Sequence, residues 1–132
     1  MSWNGVKKYT NKADIKAWCE EMRIRNYTIN SKGEIDVDGS VDLSKMEFKE
    51  LPYKFRIVIG YFDIGCNSNL TSLKNCPDHV GDFFSCSLCP QLDSLEGCPK
   101  KIGGGFLCYN CKGIFTKEEV KSLCEVKGDI YN

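Results

Sequence analysis

The hydrophobic pattern changes rhythm along the chain, and each rhythm predicts a different element. From Asn11 onward Ile15, Trp18, Cys19 and Met22 recur at helical spacing, with Lys16, Glu20, Glu21 and Arg23 between them. One apolar stripe on a charged helix is the expected result. Asn11 supplies an N-cap and Asp14 a carboxylate near the positive end of the helix dipole, so the spacing predicts a helix over 11–25. From Tyr27 to Leu43 the pattern turns to alternation: Tyr27 and Ile29, Ile35 and Val37, Val41 and Leu43, separated by Ser31-Lys32-Gly33 and Asp38-Gly39-Ser40. That is strand, turn, strand, turn, strand. Asp36, Asp38 and Asp42 offer oxygen ligands for a hard cation, but their spacing puts them on a solvated outer face.

Beyond Val58 a period of 22 residues takes over. Val58, Val80 and Ile102 fall in one column, as do Phe62, Phe84 and Phe106; Ile64, Cys86 and Cys108; Asn67, Cys89 and Cys111; and Leu70, Leu92 and Ile114. Leu73 aligns with Leu95, and Cys76-Pro77 with Cys98-Pro99. A fixed period in this range means stacked supersecondary units that share one core. Each unit reads as a short strand, an Asn- or Cys-bearing turn, a Leu-x-x-Leu segment suited to a single helical or 3₁₀ turn, and a Cys-Pro return. Gly60, Gly81 and Gly103 to Gly105 allow tight approach before the next strand. The stretch from Val41 to Pro52 is a degenerate first copy, with Phe48 and Leu51 standing 22 residues before Leu70 and Leu73.

At the C-terminal end Thr116-Lys117-Glu118-Glu119 is a capping box, and Phe115 with Val120 forms a hydrophobic staple. Val120, Leu123 and Cys124 give the buried stripe, Gly128 ends the helical region, and Asp129-Ile130-Tyr131 adds a last short strand. The expected architecture is α+β: one domain over 1–132, a short β-solenoid of about three to four coils with a helix at each end. Its parts are an N-terminal helical cap (1–26), strands in a hairpin (27–43), the repeats (44–115) and a C-terminal helical cap (116–132).

Composition narrows the chemistry. The 132 residues carry 18 basic and 18 acidic side chains. No basic block offers the cationic stripe a general nucleic-acid binder uses to displace counterions. No apolar run reaches membrane-spanning length, and Met1-Ser2-Trp3-Asn4 lacks the apolar centre of a signal peptide, so a cytoplasmic protein is expected. Nine cysteines, an odd count without a secretion signal, fit free thiols used as small hydrophobes.

The repeat Leu70-Thr71-Ser72-Leu73-x-x-Cys76-Pro77-x-x-Val80-Gly81-x-x-Phe84-x-Cys86 returns as Leu92-Asp93-Ser94-Leu95-Glu96-Gly97-Cys98-Pro99-x-x-Ile102-Gly103-Gly104-x-Phe106-x-Cys108. It resembles the leucine-rich-repeat-like proteins common in tailed-phage genomes, over about residues 41–112. The resemblance implies a leucine-rich-repeat-like β-solenoid with one parallel strand per turn and a role in binding a protein. For members of this size it implies a host-takeover or anti-defence factor, with a host protein as partner. It transfers no catalytic motif.

Cys86-x-x-Cys89 and Cys108-x-x-Cys111 have the spacing of a four-thiolate zinc site. Against zinc stands the period, because the second pair is the first displaced by one coil and Ile64 and Asn67 fill the same columns before them. Both readings stay open, structural thiols or a small zinc module. Redox use is weaker, since neither pair lies at a helix N-terminus that would lower a thiol pKa. His79, the only histidine, sits in the Cys-Pro turn without a serine or carboxylate partner in its repeat. No catalytic residue is assigned, and Gly103-Gly104-Gly105 precedes a strand, not a phosphate-cradling helix.

If the phenylalanine column points inward, alternation turns Tyr61, Asp63 and Gly65 outward, then Phe83, Ser85 and Ser87, then Gly105, Leu107 and Tyr109. The resembled family keeps small or acidic residues here, whereas this chain places Tyr61, Phe83, Leu107 and Tyr109. Adjacent exposed apolar side chains on a sheet mark a contact surface. The expectation is a non-enzymatic interaction module that docks a host protein on Tyr61, Asp63, Phe83, Ser85, Leu107 and Tyr109 and inhibits it. The alternatives are the zinc module or self-association through the same face or a solenoid end.

Overall fold

A glycine-bearing corner gives each coil two strands, where the resemblance implied one. In the computed structural model, which describes residues 11–132, the chain begins with helix α1 (Lys12–Glu21) and an antiparallel hairpin of β1 (Tyr27–Ile29) and β2 (Ile35–Val37). Paired strands then follow coil by coil: β2 with β3 (Val41–Asp42), β4 (Phe55–Val58) with β5 (Phe62–Asp63), β6 (His79–Val80) with β7 (Phe84–Ser85), and β8 (Lys101–Ile102) with β9 (Phe106–Leu107). Helix α2 (Lys117–Leu123) occupies the next return arm, and β10 (Glu125–Val126) and β11 (Ile130–Tyr131) complete the last pair.

First members stack into a sheet ordered β1-β2-β4-β6-β8-β10 and second members into one ordered β11-β9-β7-β5-β3, all parallel apart from β1 against β2. The fold is thus an α+β solenoid of about four coils flanked by two helices. The corners stack main chain on main chain. A Cβ on Gly81 would lie 2.0 Å from the Ile59 carbonyl oxygen, one on Gly103 2.2 Å from that of Gly81, and one on Gly128 2.7 Å from the Gly104 carbonyl carbon. Gly128 is therefore a corner residue, not the helix terminator expected from the sequence. The helix ends at Leu123, with Cys124 as its extended cap.

Between the sheets lies the expected core. Phe62, Phe84 and Phe106 are fully buried, as are Val58, Ile64, Cys86, Leu73 and Leu70. Phe62 and Phe84 stack with ring centroids 6.1 Å apart, while Phe55 and Phe106 meet the ends of that pair edge-on at 5.2 and 5.3 Å. Each buried phenylalanine contributes about 2 kcal/mol of apolar transfer.

The helix N-caps form as their residues dictate, whereas Leu123, expected in the buried stripe of α2, is 45% exposed. Asn11 accepts from the N–H groups of Ala13 and Asp14 at 2.9 and 3.3 Å, and Thr116 Oγ1 from Glu119 N at 3.0 Å. Helix α1 buries Ile15 and Cys19 and sets Trp18 edge-on against Phe48, Tyr53 and Phe55. It stops short of residue 25 because the chain turns at Arg23 into the left-handed region (φ 60°). The part of the N-terminal cap assigned to residues 1–10 lies outside the described residues.

Two further expectations need correction. The Leu70–Leu73 and Leu92–Leu95 segments hold no helical or 3₁₀ turn. They run extended between tight turns closed by Leu70 N to Asn67 O and Cys76 N to Leu73 O, so that both leucines of each pair reach the core. Ile114 does not follow Leu70 and Leu92 inward: it is 92% exposed, and Phe115 is buried in its place. The arm carrying α2 departs from the period there, and the inward position moves one residue along.

Gly81→Ala should destabilise the protein by about 3 kcal/mol, read as a lower urea midpoint, because the colliding atoms belong to the Ile59 backbone. Gly105→Ala, whose Cβ would stand 3.1 Å from the Asp129 carbonyl oxygen, should cost clearly less.

Candidate interaction face

The second sheet carries the outward grid, and its columns are set by main-chain hydrogen bonds. Val41 N donates to Tyr61 O, Phe62 N to Phe83 O, Phe84 N to Gly105 O and Phe106 N to Asp129 O, all within 2.9–3.0 Å. The next column follows from Leu43 N to Asp63 O, Ile64 N to Ser85 O, Cys86 N to Leu107 O and Cys108 N to Tyr131 O; the third from Lys45 N to Gly65 O, Cys66 N to Ser87 O and Leu88 N to Tyr109 O. Tyr61, Asp63, Phe83, Ser85, Leu107 and Tyr109 therefore share one face, as alternation predicts.

The face has relief. Tyr61 and Phe83 stack in parallel, ring centroids 4.7 Å apart at 6°. Ser85 and Ser87 are only 7% and 3% exposed, so Ser85 forms a floor instead of a projecting contact. Their larger neighbours rise around them. Leu107 is half-buried and Tyr109 exposed, and Leu88 beside them is exposed with a left-handed backbone (φ 61°).

Tyr131 is the residue sequence reasoning missed. It is 50% exposed, pairs in register with Leu107, and brings its Cε2 to 3.3 Å from where a Gly105 Cβ would stand. The step of 24 from Leu107 to Tyr131 breaks the period. Alternation from Ile130, buried between the sheets, was the available signal.

Carboxylates gather at one end. Asp42 Oδ1 accepts from Ser44 N and Oγ at 3.0 and 2.6 Å, and Asp63 Oδ1 from Gly65 N at 2.8 Å. The two aspartates are register partners on β3 and β5. Burial raises the Asp63 carboxyl above its ordinary range and Asp42 adds to the shift, against the opposing pull of the Gly65 N–H and Lys45.

The cysteine pairs divide between two columns. Cys86 and Cys108 continue the inward strand position of Ile64. Cys89 and Cys111 continue Asn67, whose side-chain amide donates to Leu43 O, Ile64 O and Gly65 O at 2.9–3.3 Å. The thiols take over that donor role, since Cys89 Sγ lies 3.6 Å from Ile64 O and Ser87 O, and Cys111 Sγ 3.2 Å from Cys86 O. Burial pushes the Cys89 thiol up to about 11 and the Cys108 thiol up to about 12, and raises the Cys86 thiol as well. Among the described residues, no group of three or more His, Cys, Asp or Glu side chains is placed to hold a metal ion.

Elsewhere, His79 is exposed on β6, in register between Ile57 of β4 and Lys101 of β8. It belongs to the first sheet and lies away from the aromatic face. A cleft of about 550 Å³ opens among the return arms beside Lys54, Lys74, Asp78, Glu96 and Lys100, where Lys54 is engaged with Asp78 at 2.9 Å. Among the described residues, no helix is long and apolar enough to cross a membrane.

A carboxyl raised in the folded state loses stability as pH rises through its titration range. Asp63→Asn keeps the acceptor for Gly65 N–H and removes the charge. The variant should therefore melt higher than the parent near about pH 7, with the gap closing toward about pH 3, as thermal scans would read.

No protein-family model, no curated protein and no solved structure matches the chain.

Proposed function

We propose that this chain is a non-enzymatic binding module that holds a partner protein against the outward face of its second sheet. The observation that carries the reading is the parallel Tyr61–Phe83 stack on that face, with Leu107, Tyr109 and Tyr131 continuing the apolar surface across the next coils. Rigid aromatic side chains on a preorganised backbone lose little entropy on contact, which is why such residues dominate binding energy at interfaces. Ser85, Ser87 and Gly65 between them let a partner approach the sheet closely.

The resemblance to phage leucine-rich-repeat-like proteins directs the reading further. The partner is a host protein whose activity is blocked when its surface is covered, as a host-takeover or anti-defence factor would do. The nine cysteines, all unpaired, suit a reducing compartment such as the host cytoplasm.

Phe83→Asp combined with Leu107→Asp should weaken capture of the partner from host lysate by at least about tenfold, while circular dichroism and the urea midpoint stay near the parent values. Capture at parental strength by a folded double variant would remove this face from the reading. A dimer in sedimentation that the same changes dissociate would reassign the face to self-association.

For the zinc alternative, protein purified without chelator should contain less than about one-tenth of an equivalent of zinc by elemental analysis, since a structural four-thiolate site holds its ion tightly. A full equivalent, lost on Cys89→Ser, would restore the zinc module.

A further inference from the structure

The charge on the proposed docking face is mainly acidic. Among the described residues its outward columns contain Asp42, Asp63 and Asp129, with Lys45 in the turn beside them, in a chain whose 18 basic and 18 acidic residues balance overall. The ion pairs among the described residues, Lys54 with Asp78 and Arg56 with Asp36, lie off this face. Asp42 and Asp63 stand side by side on adjacent parallel strands, one strand spacing or about 4.8 Å apart. Local N–H and hydroxyl donors orient both carboxylates, and among the described residues neither is in an ion pair. Lys45, exposed in the turn beyond Asp42, leaves the pair with one net negative charge.

The aromatic stack has a distinct geometry at the same end. Phe83 covers one face of Tyr61. In the Tyr61 column the position on the opposite side is Ser40, whose Oγ accepts from Tyr61 N at 3.0 Å and which is too small to cover a ring. The position above Ser40 thus lies beside an aromatic face, with Asp42 and Asp63 the next outward residues along β3 and β5, their Oδ1 atoms turned toward Ser44 and Gly65. A planar cation that stacks and pairs bidentately fits such a position, and a guanidinium is that group.

The floor adds a second requirement. Ser85 and Ser87 hydroxyls, both more than nine-tenths buried, accept from Ser87 N and Tyr109 N, and among the described residues neither donates its own proton. Two inward-set donors on a sheet face suit the carbonyl oxygens of an extended chain.

Resting on the binding-module reading, we infer that this face takes an extended segment of the partner protein that presents an arginine, stacked on Tyr61 above Ser40 and paired with Asp63 and Asp42. From that position to Leu107 is three strand spacings, about 14 Å, which an extended chain covers in four residues of about 3.4 Å each. The segment therefore carries an apolar side chain four residues after the arginine, against Leu107 and Tyr109.

The test titrates the isotopically labelled 132-residue protein with the peptide Gly-Arg-Ser-Ala-Ser-Leu-Gly, acetylated and amidated, and with its Arg-to-Glu counterpart, by heteronuclear NMR. The arginine peptide should shift amides of Tyr61 to Gly65 and Leu107 to Tyr109, and the glutamate peptide should leave them in place. Asp63→Asn, which preserves the Gly65 contact, and Asp42→Asn should each weaken the response by about tenfold. Equal response to both peptides, shifts centred on another surface, or indifference to both substitutions would overturn the inference.

Failure here is distinguishable from failure of the broader reading. Lysate capture lost in the Phe83→Asp/Leu107→Asp variant, with no response to the arginine peptide, retains the binding module and rejects arginine. A face-dependent dimer unaffected by the peptide rejects it in favour of a second copy.

Discussion

Hydrogen bonds that run from coil to coil between parallel main chains are the constraint on which this molecule depends. Phe62 N to Phe83 O, Phe84 N to Gly105 O and Phe106 N to Asp129 O repeat the same step at 2.9–3.0 Å, so every coil must trace the path of the one before. Such a path tolerates no side chain where corners overlie one another. Gly81 and Gly103 meet carbonyl oxygens at distances no Cβ could occupy, and the corner they allow bends each coil into two strands. Register then does the rest. It stacks Phe62, Phe84 and Phe106 inside and sorts the alternate residues into straight columns outside.

The same register explains a cysteine content that would otherwise point to chemistry. Cys86 and Cys108 fill a narrow inward column that Ile64 begins. Cys89 and Cys111 stand where Asn67 bonds three carbonyls, and offer those carbonyls a weaker donor. A buried thiol beside carbonyl oxygens is held in its protonated form, and the upward shifts of Cys86, Cys89 and Cys108 have burial as their leading cause.

A stack of rigid coils presents its outer columns without much freedom to adapt, which suits recognition by fixed shape and charge. On the second sheet a half-buried tyrosine stacked on Phe83, two adjacent carboxylates, a sunken serine floor and an apolar far end share one face of the solenoid. The order of these features, more than any one residue, gives the proposed segment its direction and spacing. Burial raises the Asp63 carboxyl above its ordinary range, a shift that a cation beside it would oppose.

Local chemistry and the period determine much of this from sequence alone. Asn11 and Thr116 announce their helices because a side-chain oxygen must satisfy free N–H groups. The 22-residue columns fix the inward phenylalanines and the outward aromatics because alternation on a strand leaves no third direction. What only the tertiary structure decides are matters of contact between coils. The second strand of each coil, the extended Leu70–Leu73 arm and the corner role of Gly128 all follow from where one backbone overlies the next, which a spacing of residue types does not encode. The burial of Ser85 depends on the height of its neighbours. The exchange of Ile114 for Phe115, and the arrival of Tyr131 beside Leu107, depend on how the arm carrying the second helix rejoins the stack after leaving the period. Periodicity specifies which residues lie in line; close packing of one coil on another decides which of them remain open to a partner.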